Sequence, residues 1–180
     1  AETAADTATL ELLAQEGIRF TLLAPHQSRR IRPLAESAEW TVTPGASVDT
    51  TRPYRLKFSS GASLDVFFYD GPTSRAIAFE GLLNSGEAFA SRLKADFRDV
   101  AHPQIVHVAT DGESYGHHHK HGEMALAYAL RLLERDKTVK LINYSSYLAQ
   151  FPPEYECEIE DNTSWSCIHG IERWRSDCGC

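Results

Sequence analysis

The chain has 180 residues, of which 42% are hydrophobic and 24% charged, and a formal net charge of −7. This length and composition suit one soluble globular domain with a real hydrophobic core. The acidic balance repels nucleic-acid phosphates, and no apolar run approaches the roughly 20 residues that a membrane helix needs, so we expect neither nucleic acid nor a membrane as a partner.

The first part of the chain alternates helical and strand patterns. Asp6 is suited to begin a helix over residues 6–16, and the apolar run 18–24 predicts a buried strand. Residues 36–63 are rich in Ser, Thr, Pro and Gly and predict a β-hairpin excursion, which returns through a strand over 64–70.

The rest of the chain continues this alternation. Ser74 is suited to cap a helix, and a second helical stretch carries Phe89. The pattern then predicts a strand over 105–109 and a long helix over 124–134. It continues with a short strand over 140–144, a short helix over 146–150 and an irregular tail over 152–180.

Strands that alternate with helices predict an α/β fold with a parallel sheet or barrel. Four strand candidates feed helices, which is too few for a closed barrel of eight strands and suits a portion of one. We therefore predict a single domain over residues 1–180, with the tail covering the functional site.

Polar residues at the carboxyl ends of the predicted strands are candidates for a site, because ligands of parallel α/β folds bind there. These residues are His26, Gln27, Asp70, Asp111, Glu113 and Asn143. Asp111 directly follows an apolar run, where burial would raise the pKa of a carboxyl group as a general acid requires. The alternative is a loop acid that caps the following helix.

Two clusters of metal-ligand residue types occur. One contains four histidines and favours either a metal site or a solvated loop that lines a substrate groove: His117, His118, His119 and His121. The other contains the four cysteines, whose spacing lacks the paired Cys-x-x-Cys of common zinc sites: Cys157, Cys167, Cys178 and Cys180. We predict free thiols here, with zinc bound by the four cysteines as the alternative, and we expect neither a metal nor another cofactor in the substrate site.

Aromatic residues lie near the predicted strand ends and in the tail. Tyr69, Tyr115, Trp165 and Trp174 are candidates for stacking on sugar rings, or for filling the core beneath a long loop.

These motifs together resemble glycoside hydrolase family 57. Residues 110–116, TDGESYG, resemble that family's Asp-Gly-Glu-x-Phe/Tyr-Gly signature, and the opening AETA resembles the end of the strand that bears its nucleophilic Glu. Residues 162–165, NTSW, are similar to the family's Ser-Trp region. The tail SWSCIHGIERWRSDCGC resembles an uncharacterised bacterial branch.

The resemblance implies the later part of a (β/α)7-type parallel barrel and a retaining mechanism on an α-glucan-like polysaccharide, by hydrolysis or transglycosylation. Glu2 would be the nucleophile and Asp111 the general acid/base, with their carboxyl groups roughly 5–5.5 Å apart. The expected substrate-binding residues are His26, Asp70, Glu113, Tyr115, His117, Trp165 and Trp174.

The family's first strand carries a His-Gln-Pro motif that nothing before Ala1 supplies, and His26-Gln27 falls after the nucleophile. We therefore expect a fragment of a longer enzyme, completed by the remaining barrel segment. Two alternatives stay open: a metal-dependent carbohydrate deacetylase and a non-catalytic carbohydrate-binding relative. No leader peptide is recognisable, which predicts a cytoplasmic protein.

Overall fold

The computed structural model describes residues 2–35 and 37–180. Ala1, in the predicted nucleophile segment, and Glu36, at the start of the predicted excursion, lie outside the described residues. The helices and strands, in chain order, are α1 Thr7–Gln15, β1 Phe20–Leu23, β2 Ser28–Pro33, β3 Thr41–Val42, β4 Pro53–Lys57, β5 Ser63–Phe68, α2 Gly71–Phe79, α3 Gly86–Ala95, α4 Gly122–Arg135, α5 Tyr144–Gln150, β6 Tyr155–Ile159 and α6 Glu172–Arg175.

Contacts within the chain divide it into two compact units. Unit 1 comprises residues 1–69 and 152–180, and unit 2 comprises residues 70–151. The prediction of one domain over 1–180 stays a prediction.

Unit 1 is built on a six-stranded sheet in the order β1-β5-β4-β6-β2-β3. β1 pairs with β5 and β4 with β6 in parallel, whereas the other three neighbouring pairs are antiparallel. The sheet is therefore mixed, which corrects the expectation of all-parallel pairing. The hairpin joins β4 to β5, and β3 and β4, which lie within 36–63, are members of this sheet.

The strand β6 lies in the middle of the sheet, although the sequence indicated an irregular tail from residue 152. One face of β6 carries charges that are paired across the sheet: Arg30 contacts Glu158 at 2.7 Å, and Arg32 contacts Glu156 at 2.9 Å. The alternate residues, Cys157 and Ile159, belong to the hydrophobic core of unit 1. This division of faces explains how a strand rich in Glu occupies a central position.

Unit 2 contains helices α2 to α5 and a second core cluster built on residues such as Ile77, Phe89 and Ala129. The predicted strands at 105–109 and 140–144 are wrong, because neither segment forms a ladder with any described residue. Ile105 and His107 are nevertheless buried in alternation, and the His107 carbonyl accepts a 2.9 Å hydrogen bond from the Asp70 backbone. An apolar run alone therefore does not create a strand, since a strand also needs a neighbouring strand to pair with.

Asp70 begins α2, and its side chain accepts a 2.7 Å hydrogen bond from the Thr73 backbone. Ser74, predicted as the cap, is instead inside the helix and buried. Its hydroxyl donates to the Asp70 carbonyl, because it lies one turn further on. Every helix among the described residues is too short or too polar to cross a lipid bilayer.

Candidate active site

Glu2 is held by residues from the far end of the chain. Its Oε2 accepts a 3.0 Å hydrogen bond from Trp165 Nε1 and lies 3.6 Å from Arg173 Nη1. Its backbone carbonyl accepts a 3.0 Å hydrogen bond from the Trp165 backbone. The Glu2 side chain remains 36% exposed, so the carboxylate is both fixed and accessible.

The Glu2 carboxyl is electrostatically biased towards ionisation. Its pKa lies below the ordinary value of 4.5, mainly because of a side-chain hydrogen bond with Ser166 and further because of Trp165 and Arg173, while partial burial acts in the opposite direction. Arg173 also donates a 2.7 Å hydrogen bond to the Ser166 hydroxyl, which links two of these groups. A carboxylate that stays charged is suited to nucleophilic attack or to stabilising a positive charge.

The backbone that presents Glu2 is strained. Glu2 and Thr3 have φ values of 59° and 46°, in the left-handed region that residues with a Cβ rarely adopt. Such conformations cost about 1–3 kcal/mol each and persist only where surrounding contacts determine them. This strain is typical of functional sites, where it fixes the direction of a side chain.

The buried side chain of Gln27 supplies much of that surrounding structure. Its Nε2 donates to the Thr3 carbonyl at 2.8 Å and to Thr163 Oγ1 at 3.1 Å. Its Oε1 accepts from the Ala24 backbone at 2.8 Å and from Thr3 Oγ1 at 3.0 Å. All four hydrogen-bonding positions of the amide are therefore used, and they join the end of β1, the Glu2 segment and the tail.

Three other predicted site residues lie in unit 1 with Glu2. His26 is exposed, and its Nε2 donates a 2.9 Å hydrogen bond to the Ser164 carbonyl. The Trp165 ring packs edge-on against Tyr69 with centroids 6.0 Å apart. Trp174 is 52% exposed, with the Arg173 guanidinium 5.3 Å from its ring centre. His26 and Trp165 thus belong to the hydrogen-bond network that also contains Glu2.

Asp111 begins a short 3-10 turn, Gly112–Ser114, in unit 2. It is exposed, which corrects the expectation that Asp111 is buried at the end of a strand. Its backbone carbonyl accepts a 3.1 Å hydrogen bond from Ser114, but its side chain makes no capping hydrogen bond. The alternative that Asp111 is a helix-capping loop acid therefore lacks the contact it requires.

The remaining predicted site residues also lie in unit 2. Glu113 and His117 are exposed, and the Glu113 carbonyl accepts a 3.1 Å hydrogen bond from the His117 backbone. The Tyr115 hydroxyl accepts a 3.1 Å hydrogen bond from Thr110. Asp70 is engaged as the cap of α2. The turn thus presents Asp111, Glu113 and His117 to solvent together.

The histidine cluster does not form a metal site within the described residues. His119 Nε2 donates a 2.8 Å hydrogen bond to the Ala78 carbonyl, and His121 has a left-handed backbone at the start of α4. Across residues 2–35 and 37–180, the one group of His, Cys, Asp or Glu side chains that converges closely enough to hold a metal contains no member of this cluster. The deacetylase alternative therefore has no ligand set in this turn.

Sequence reasoning did not foresee that Gln27 supports the Glu2 segment, and it missed Ser166 and Arg173, which contact the Glu2 carboxylate. Gln27 was visible as a polar residue after a buried strand, but its partners at positions 3 and 163 carry no local signal. Ser166 and Arg173 lie within the tail motif, yet their contacts with Glu2 join positions more than 160 residues apart in the chain.

Comparison with known proteins identifies the family of the chain. The model of a family described as glycosyl hydrolase family 57 matches residues 1–160. No curated protein matches the chain.

Two solved structures are similar in fold. One is a 4-alpha-glucanotransferase from Thermococcus litoralis, with a TM-score of 0.65 and 19% identity over 91% of this chain and 24% of that enzyme. The other is an exo-type maltose-forming amylase from Pyrococcus sp. ST04, with a TM-score of 0.67 and 16% identity over 93% of this chain and 28% of that enzyme. The chain thus spans about a quarter of the length of these enzymes, and the predicted fold class, α/β as part of a (β/α)7-type barrel, is confirmed.

Proposed function

The chain belongs to glycosyl hydrolase family 57, and we propose that it forms part of the catalytic domain of a retaining glycoside hydrolase or transglycosylase. The proposed substrate is an α-glucan-like polysaccharide. The enzymes with similar folds are a 4-alpha-glucanotransferase and a maltose-forming amylase, which favours this substrate class.

In the proposed reaction, a Glu2 carboxylate oxygen attacks the anomeric carbon while Asp111 donates a proton to the departing glycosidic oxygen. The carbon–oxygen bond of the substrate breaks, and a covalent glycosyl ester on Glu2 forms. Asp111, now a carboxylate, then takes a proton from water or from a sugar hydroxyl, which attacks the same carbon and releases Glu2. Water gives hydrolysis, and a sugar hydroxyl gives transfer.

The setting of Glu2 is the observation that carries the proposal. A nucleophile must be ionised before attack, and the pKa of Glu2 is lowered by Ser166, Trp165 and Arg173. The strained backbone at Glu2 and Thr3 and the Trp165 hydrogen bond fix the direction of the carboxylate. An ordinary surface glutamate has no need of such support.

The turn that bears Asp111 supports the second role. Asp111 is exposed and its side chain makes no capping hydrogen bond, so its carboxyl group is accessible to a substrate. We assign Glu113, His117, Tyr115 and Asp70 to substrate contacts or to support of Asp111. We also assign His26, Trp165 and Trp174 to substrate contacts.

The same proposal includes three finer statements. The remaining barrel segment of a longer chain completes the enzyme, because this chain covers only 24% and 28% of the two similar enzymes. The tail beyond residue 160 lies outside the family match and is assigned to the bacterial branch that carries the same motif. The location is assigned to the cytoplasm.

Chemical rescue of the full-length protein tests the two roles separately. We expect Asp111→Ala to lose about 10²–10⁴-fold in turnover of a maltooligosaccharide. With α-maltosyl fluoride and azide, Asp111→Ala should give α-maltosyl azide, because azide attacks the Glu2 ester. Glu2→Ala should give β-maltosyl azide, because azide replaces the nucleophile directly.

Asp99→Ala and Glu16→Ala are matched controls, since both residues are exposed carboxylates outside the proposed site. They should keep normal turnover. Full activity of Asp111→Ala or Glu2→Ala would refute the assignment. An inverted first product from the unmodified enzyme would refute retention, because inversion requires carboxyl groups roughly 6.5–9.5 Å apart with water between them.

A further inference from the structure

Four side chains with metal-binding atoms converge at the C-terminal end of the chain. They are Cys167, His169, Cys178 and Cys180, whose ligand atoms all lie within 4.8 Å of one another. All four lie beyond residue 160, where the family match ends. We propose that these residues bind one zinc ion in a closed structural site.

The distances between the ligand atoms fit a tetrahedral zinc ion. Zn–S bonds of about 2.3 Å and Zn–N bonds of about 2.0–2.1 Å place sulfur atoms about 3.8 Å apart and sulfur and nitrogen about 3.6 Å apart. Cys167 Sγ lies 3.9 Å from Cys178 Sγ and 3.3 Å from Cys180 Sγ. His169 Nδ1 lies 3.6 Å from Cys167 Sγ and 3.4 Å from Cys180 Sγ.

The identity of the ligands favours zinc and a structural role. Three thiolates and one imidazole form a common ligand set for structural zinc, and four protein ligands leave no position open for a water molecule or a substrate. A disulfide between two of the cysteines would explain neither the third thiol nor the imidazole nitrogen beside them. Cys157 is excluded from the set because it is buried in the core of unit 1.

The local structure shows why the tail needs a metal. Residues 171–180 contain no buried side chain, Ile168 is 94% exposed, and the four-residue helix α6 packs none of its residues into a core. Hydrophobic packing therefore cannot hold this segment in place. Metal binding supplies folding free energy directly to such a segment.

The segment that zinc would fix carries the groups that hold Glu2. Trp165 lies two residues before Cys167, and Arg173 lies between His169 and Cys178. Both contact the Glu2 carboxylate. Zinc at this site would therefore orient these two side chains through the loop on which they lie, without touching substrate itself.

Metal analysis of the full-length protein tests the proposal without any measurement of turnover, so the result does not depend on the proposed function. The protein is purified without chelators or added metal, and its zinc content is measured by mass spectrometry. We expect Cys167→Ala, His169→Ala and Cys178→Ala each to contain one zinc fewer per chain than Cys157→Ala. Cys157→Ala is the matched control because it removes a thiol outside the cluster.

Cobalt(II) provides a second readout on the unmodified sequence, which keeps the test decisive if a variant fails to fold. Protein stripped of metal under reducing conditions should develop thiolate-to-cobalt charge-transfer absorption and the visible bands of tetrahedral cobalt, and zinc should abolish both. Absence of these bands would overturn the proposal. So would a full zinc content in the ligand variants, or a disulfide among Cys167, Cys178 and Cys180 in the isolated protein.

Discussion

Replacing Gln27 with Leu should destabilise unit 1 strongly, because the change removes all four hydrogen bonds of a fully buried amide while nearly keeping its volume. Ala24 is only 1% exposed, so its backbone N–H would lose its partner with no water to replace it. That loss costs about 1–3 kcal/mol.

The Thr3 carbonyl lies in a half-buried residue, where water can partly replace the amide of Gln27. Loss of an ordinary hydrogen bond there costs about 0.5–1.5 kcal/mol. Thr163 Oγ1 keeps its bond to the Glu160 carbonyl, so it adds little. Together these terms predict a loss of about 2–4 kcal/mol in the free energy of unfolding.

Tryptophan fluorescence during urea denaturation measures this change specifically. The three tryptophans, Trp40, Trp165 and Trp174, all belong to unit 1, so the signal reports unfolding of that unit. Gln15→Leu is the matched control, since Gln15 is exposed on α1, and it should shift stability by less than about 0.5 kcal/mol. If Gln27→Leu were as mild as Gln15→Leu, Gln27 would not be the clamp that its contacts indicate.

Three further changes test other contacts. Arg173→Met removes a cation that helps to lower the pKa of Glu2, so the acid limb of the kcat/KM profile should move to higher pH; an unmoved limb would contradict the role of Arg173. Ionised Glu2 stabilises the fold above its unfolded pKa, and this contribution is lost as the pH falls through the lowered folded pKa. The variant should therefore also be less stable to acid unfolding. Gly170→Ala should lower the free energy of unfolding by more than about 2 kcal/mol, because Gly170 has a φ of +63° and a Cβ there would lie 2.0 Å from the Asn162 carbonyl oxygen. Gly17 is also left-handed but has open space around it, so Gly17→Ala should cost only about 1–2 kcal/mol. Thermal or urea unfolding measures both changes. Asp70→Ala should remove the N-cap of α2 and lower the free energy of unfolding by about 1 kcal/mol, measured by circular dichroism during denaturation. Asp111→Asn should leave stability unchanged within about 0.5 kcal/mol, because the Asp111 side chain caps no helix. Equal effects of the two changes would contradict this difference in capping.

The elements that the sequence predicted well carry their signal locally. α1 begins after Asp6 as expected, α4 covers the predicted long helix, and β1, β4 and β5 follow apolar or alternating runs. Each depends on periodicity or a cap within a few neighbouring residues.

The strands that the sequence missed depend on distant partners. β2 and β6 carry alternating charges, which are paired only in the folded sheet, where Arg30 contacts Glu158 and Arg32 contacts Glu156 across more than 120 positions. Period-two charge alternation was the signal that could have revealed them. The prediction at 105–109 is wrong for the opposite reason: its apolar composition suits a strand, but the segment has no neighbouring strand to pair with among the described residues.

The candidate site also combines residues that a local motif predicts with residues that only distant contacts reveal. The DGESYG motif and the tail predict Asp111 and Trp165 as site residues through the family resemblance. Spacing could not identify His169, rather than Cys157, as the fourth residue of the cysteine cluster, because only the three-dimensional structure places Cys157 in the core.

The central position of β6 affects how the protein folds during its synthesis on the ribosome. β4 and β2 flank β6, so both keep unpaired backbone groups until residues 155–159 have been synthesised, more than 80 residues after β5. Unit 2 is contiguous and emerges before that point. Nascent chains that end before residue 155 should therefore expose two open sheet edges to chaperones or to other nascent chains, and a premature stop there should yield aggregates rather than a smaller folded protein.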